Sequence, residues 1–472
     1  MSHDEHNSPM MTHDRRSRQS EGGVRWAEDD DGENPHRLSP QRKWVIELLI
    51  CSTTLCITVT SSLYVSTFRQ IMAEFHCSRT VATLGLSLFI GGLGWGPLLL
   101  SPLSEFYGRR PIFRISLPLF VIFLVPCAVA HNVGTMLVAR LLTGLAGAAF
   151  TSVAGATVGD MYTKDRLHFP MLVYTASPFT GSSFGPMLGG LINSFASWRW
   201  SFYCLLIWSS VQCLLVLCFV PETYHPVLLR RKARRLRKET GDERWKTVLR
   251  SLYRPFMLLV LEPMCLNLCL LSAIVLGIQY LFFGSFKIIF GTVYDWGLWQ
   301  SGLAFAGITA GMIAAVVADP WCRRLYVRMI PSSIDATDPE RRLPPAVIGA
   351  PLLTVGLFWF AWTAIPSVHW SVPIIGSALF GTGMILVYAG VFTFLVDAYP
   401  VYAASALGAN SFTRSTFAAA FPLFGFPMYQ ALGNQWATSL LAFLSLIMAP
   451  FPYIFFKYGK RIRRKSRFAT RK

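Results

Sequence analysis

SFYCLLIWSSVQCLLVLCFV, residues 201–220, contains no charged side chain. About 20 helical residues rising 1.5 Å each match the roughly 30 Å hydrocarbon core of a bilayer. Working outward from this run, twelve apolar segments are read at about 44–66, 80–103, 112–130, 134–160, 169–194, 200–220, 255–282, 297–318, 345–365, 372–396, 403–430 and 436–456. The runs are long and continuous rather than alternating over ten residues, which favours helices over a barrel. Gly and Pro inside many of them are tolerated where neighbouring helices re-satisfy the backbone and small residues permit close approach.

Composition agrees. Of 472 residues, 53% are hydrophobic and 14% charged, where soluble domains carry about 25% charged residues. Mean hydropathy is +0.43. A soluble multidomain protein and an extended disordered chain are both excluded. Residues 1–40 are polar and lack the short apolar core of a secretory signal. The net charge of +18 is unevenly spread. With an even number of spans both termini share a side, and 37 of the 43 Lys and Arg fall on that side. The opposite side holds only Arg69, Arg79, Arg199 and Lys287, and Arg140 and Arg414 lie inside spans. The positive-inside rule then predicts cytoplasmic termini, with the basic loops against anionic lipid heads. RRKARRLRK (230–238) is read as part of that signal rather than as a nucleic-acid site.

The expected domains are a disordered tail at 1–43, a six-helix bundle at 44–220, a basic, surface-lying central loop at 221–254, a second bundle at 255–456 and a basic tail at 457–472. The halves echo one another. SEFYGRR after the second span sets Glu105 before Arg109 and Arg110; ADPWCRR after the eighth sets Asp319 before Arg323 and Arg324 at the same offsets. Falling six spans apart, the match points to an internal duplication. The fold class is therefore an all-α membrane protein of twelve transmembrane helices in two pseudo-symmetric bundles.

No cofactor or metal is expected. Eight of the ten cysteines lie in apolar runs, and Cys265 and Cys269, though four apart, have no His or paired CxxC beside them. His3, His6, His13 and His36 in the tail have nothing to fix their geometry. There is no G-x-x-x-x-G-K-[ST] loop and no HExxH pair, which argues against a single-chain ATP-driven pump and against an enzyme.

Ionisable groups inside a membrane are costly and point to function. No histidine sits deep; His131, His168 and His369 flank span ends. The carboxylate candidates are Glu47, Asp160, Glu262 and Asp397. Glu262, about 7 residues into its span or roughly 10 Å deep, is the deepest and the first choice as proton carrier, with Asp397 second; the plainer alternatives are a hydrogen bond to a neighbouring helix and a helix-end cap before Pro400. Arg414 lies roughly 16 Å into span eleven. A guanidinium stays charged, so Arg414 and Arg140 each need a carboxylate, carbonyls or an anionic substrate. Tyr64, Trp95, Trp208, Tyr280, Trp359 and Tyr388 are candidates to line a central cavity, although aromatics also serve as core filling and interface belts.

Several stretches resemble a known family. GPLLLSPLSEFYGRRP (96–111) resembles the loop motif of the major facilitator superfamily, with Glu105 where Asp is usual. LVARLLTGLAGAAF (137–150) looks like its fourth-span arginine motif, and GSSFGPMLGG (181–190) resembles the fifth-span motif of its twelve-span drug:proton antiporters. SWRWSFY (197–203), Glu262–Pro263, VDAYPVYAASALGAN (396–410) and PFPYIFFKYGKRIRRKSRFA (450–469) look like the fungal branch. The resemblance implies the major facilitator fold. It implies a latch at Glu105, Gly108, Arg109 and Arg110 with Asp160 as a plausible partner, and proton coupling at Arg140. It also implies a leak-barring face at Gly181, Gly185, Pro186, Gly189 and Gly190. The function expected is proton-coupled export of a small organic molecule (drug, toxin or secondary metabolite) by alternating access, from a monomer in the plasma membrane or the vacuolar membrane. Export of polyamines or organic acids, proton-coupled import, and a non-transporting membrane sensor are the alternatives.

Overall fold

The computed structural model describes residues 35, 38–163, 166–225, 227–228, 244–330, 338–464, 466 and 468. The four tail histidines and RRKARRLRK lie outside these, as does most of the first tail. The described residues are helical and connected by short turns. Helix starts follow local chemistry. Ser39, Ser78 and Asn132 accept a backbone N–H from the first turn, and Pro40, Pro263, Pro344 and Pro450 occupy first positions, where their missing N–H costs nothing.

Among the described residues, ten helical segments are long and apolar enough to cross a membrane. The last of them, Ser405–Arg463, has 59 residues, roughly 90 Å of helix if straight. Gly433, at φ 73, turns it back and makes two spans of it. The remaining span, His168–Phe195, has 28 residues and is interrupted by Gly, Ser and the internal prolines Pro178 and Pro186. It packs against the first and eighth spans, so it needs less lipid-facing apolar surface. The count of twelve and its order thus match the sequence reading. Large apolar side chains such as Ile207, Leu214, Val260 and Ile447 point outward, exposed from the protein, as a lipid solvent requires.

Packing repeats with a shift of six spans. The first span packs on the fifth, the second on the fourth, and the third on the fourth and sixth; the seventh packs on the eleventh, the eighth on the tenth, and the ninth on the tenth and twelfth. The halves meet through the second against the eleventh and the fifth against the eighth.

One boundary differs from expectation. The seventh span begins at Pro263, not 255. Glu262 is extended (φ −117, ψ 93) because a residue before proline avoids the helical region, so the preceding helix, Arg244–Leu261, is a separate element.

Candidate functional site

Between the halves lies a cavity of about 290 Å³. It opens on the face where Pro40 begins and Arg463 ends, here called the basic face. The second span supplies Ser101, Ser104 and Glu105, the fourth Thr151 and Gly155, the fifth Met171 and Tyr174, the tenth Phe392 and Val396, and the eleventh Asn410, Ser411 and Arg414. A narrower extension of about 40 Å³ runs past Arg414 to Ser182 and Tyr280. Arg414 is 8% exposed and lies among the rings of Phe392, Phe179 and Tyr388, at 5.3, 5.4 and 6.0 Å. Its Nε has no hydrogen-bond partner, nor has either amide atom of Asn410 or the hydroxyl of Ser411. Buried polar atoms are rarely left so. Four of them on one turn of one helix, against a cavity, mark a place for a ligand.

On the opposite face the halves are in contact. A Cβ on Gly302 would stand 2.6 Å from the Pro186 carbonyl, and one on Gly190 3.0 Å from the Leu298 carbonyl. Fifth and eighth spans therefore touch backbone to backbone. Lys287 Nζ donates to the Val65 carbonyl at 2.9 Å, and the Arg79 guanidinium lies 3.7 Å from the Phe426 ring, two further ties across the halves.

At the mouth, Arg109 pairs with Asp160 (3.0 Å) and lies 4.4 Å from the Tyr224 ring. The Glu222 carboxylate accepts the backbone N–H groups of Arg109 (2.8 Å) and Arg110 (3.2 Å), capping the third span (Arg109–Ala128). Gly108 is at φ +98, and a Cβ there would run into that carboxylate. In the second half Arg463 donates to both oxygens of Glu340 at 2.8 Å, with Asp338 at 3.4 Å.

A twelve-span bundle of two repeated halves around a one-sided cavity agrees with what related chains show. The chain matches the Major Facilitator Superfamily over residues 50–422. It belongs to that superfamily. It is 50% identical over 467 residues to efflux pump atB of Aspergillus terreus, covering 95% of this chain and 90% of the relative. It is 40% identical over 446 residues to the probable drug/proton antiporter YHK8 of Saccharomyces cerevisiae, covering 92% and 87%. Among solved structures, the human organic anion transporter MFSD10 superposes with a TM-score of 0.63 at 17% identity, over 88% of this chain and all of that one. A partially occluded, inward-open form of the E. coli xylose transporter XylE gives 0.63 at 15%, over 89% and 98%. At such identities the last two speak for the fold alone.

Within this superfamily fold the predicted site residues separate. Arg109, Asp160 and Gly108 form the expected cluster, while Glu105 points along the cavity wall and Arg110 joins through its backbone. Arg323 and Arg324 of the second-half echo are exposed, so the repeat in sequence does not carry the same contacts. Gly181, Gly185 and Gly189 abut the first span, while Gly190 and Pro186 abut the eighth. Glu262 needs correction. It is buried, but just before the first residue of the seventh span rather than roughly 10 Å into it, and its oxygens accept from Ser466 (2.8 Å) and Tyr399 (3.2 Å). Asp397 is half-exposed and pairs with Arg342 at 2.7 Å. Arg140 is fully buried and satisfied by the carbonyls of Thr60, Ser61 and Gly85, between the rings of Tyr64 and Phe89. Of the aromatic candidates, Tyr280 lines the deep extension and Tyr388 stacks on Phe179 at 4.1 Å beside Arg414. Tyr64 is core, Trp95 and Trp359 face outward, and Trp208 is half-buried on the sixth span away from the cavity. The sequence reading missed Glu222, Asn410, Ser411, Phe179 and Phe392. Glu222 follows a span end directly, in PETY, which was its one visible signal.

Proposed function

We propose that the chain is a proton-coupled secondary transporter that exports a small organic molecule by alternating access, with the basic face and both termini in the cytoplasm. The observation carrying this reading is the cavity itself. It reaches from the basic face to the unpartnered polar groups at Asn410, Ser411 and Arg414, while the opposite face is closed. That arrangement loads substrate from one side, and the relatives named as an efflux pump and a drug/proton antiporter support outward movement. The excess of Lys and Arg on the basic face supports its cytoplasmic placement. For the proton, Asp160 is the best placed carboxylate, because it holds Arg109 beside the cavity mouth, with Glu105 on the wall next to it. Protonating Asp160 would release Arg109 and shift the balance of inward-open and outward-open states. Glu262 anchors the chain end near Ser466 and Phe468.

The test uses the full chain in liposomes holding a pH-sensitive dye, challenged with an organic acid, a neutral amphiphile and an organic cation. Movement of at least one probe against its gradient when a pH gradient is imposed is expected, with proton flow in the counter direction. If none of the three moves and no proton flow accompanies them, the reading fails.

A further inference from the structure

The reading above leaves the substrate class open; resting on that reading, we propose that the cavity takes an aromatic organic acid as its anion, with the carboxylate on the Arg414 guanidinium and the ring among Phe392, Met171 and Tyr174. A guanidinium cannot shed its proton to escape burial, so its partner must come from somewhere. None is at hand. Among the described residues Arg414 makes no hydrogen bond or ion pair, and Nε has no acceptor. The neighbouring phenols are committed elsewhere: Tyr388 to the Ser272 carbonyl, Tyr174 to the Phe150 carbonyl and Tyr280 to Ser61. Among the described residues the one acidic side chain on the cavity wall is Glu105, at the mouth among Ser101, Ser104 and Arg109.

The shape of the vacancy in bonding is specific. Rings engage the guanidinium from Phe179, Phe392 and Tyr388, leaving its N–H groups without acceptors, and a carboxylate supplies two acceptors in the matching geometry. Asn410 and Ser411, four and three residues before Arg414, share its helix face and hold further unmet donors and acceptors. Apolar side chains make up much of the remaining wall. A polyamine would bring positive charge onto an unpaired arginine, and a sugar would leave the charge uncompensated.

The experiment measures binding to the purified full chain in lipid nanodiscs, by calorimetry, of 2-naphthoate, 2-naphthamide and 2-naphthylmethylammonium. These probes share a ring and differ in charge. Naphthoate is expected to bind at least about tenfold more tightly than the amide, the size of one hydrogen bond to a charged group, and the ammonium least. Arg414→Gln should bring naphthoate down to the amide's level; Arg414→Lys should keep part of the preference. Thermal midpoints of both variants, at or above wild type, show that they fold. Equal affinity for acid and amide, an acid preference that survives Arg414→Gln, or no naphthoate binding overturns the proposal. Proton-coupled movement of the neutral amphiphile or cation without acid preference overturns the substrate class and leaves the transport reading standing. Arg414-dependent naphthoate binding with no proton-coupled movement of any probe does the reverse.

Discussion

Arg140 and Arg414 are each a lone cation in an apolar helix, and the two halves treat them in opposite ways. Arg140 has three backbone carbonyls and two ring faces, and no exposed surface. Arg414 has ring faces only, and a cavity. The same cost of burying a guanidinium is met in one case by the scaffold and left unmet in the other. The difference separates a fastening from a site. The sharpest way to break this contrast is to delete each charge. Arg140→Leu leaves the carbonyls of Thr60, Ser61 and Gly85 without their donor, and should destabilise the protein by about 3–5 kcal/mol, the range for breaking a buried charged network. Arg414→Leu should leave the thermal midpoint in detergent unchanged or raised while abolishing transport, since sites often hold groups at a cost to stability. Equal destabilisation by both would erase the distinction.

A second contrast lies between the two faces. The basic face opens into the cavity beside Arg109 and Asp160, while the opposite face is shut by glycine on glycine. Gly302→Val would press side-chain atoms on the Pro186 carbonyl and the Gly190 Cα. Overpacking of this kind costs about 1–3 kcal/mol, enough to move a two-state equilibrium by roughly five- to a hundredfold. Spin labels at the opposite-face ends of the fifth and eighth spans should report a longer-distance population that wild type lacks. The matching change on the basic face is smaller: Glu222→Ala removes the cap from the third span and should cost about 1–2 kcal/mol, read as a lower midpoint with the cavity retained.

These contrasts also mark what the sequence could convey. Spans are legible because a bilayer forces about 20 apolar residues in a row, and a buried arginine stands out for the same reason. What fills the space around each arginine is set by which helices abut. The carbonyls on Arg140 come from the first and second spans, through the 3-10 turn that starts at Tyr64 and the close approach at Gly85, and no spacing announces them. Glu262 misled because hydropathy runs straight through it. The break comes from Pro263 acting on the backbone of the residue before it, a one-residue effect that a window of about 20 residues averages away.

Asp397 does lie at the end of the tenth span, and there it is an exposed partner of Arg342. Exposed ion pairs contribute about 0–1 kcal/mol. Asp397→Asn should therefore move the thermal midpoint little, leave the pH dependence of transport as in wild type and, unlike Asp160→Asn, leave the open and closed populations unchanged. The comparison is direct because both substitutions remove one carboxylate charge from a pair with arginine, and the Asp160 pair is the more buried. If Asp397→Asn instead shifted the pH profile as far as Asp160→Asn, burial would not be what selects the proton-sensitive pair, and the coupling role would have to be sought at the end of the tenth span.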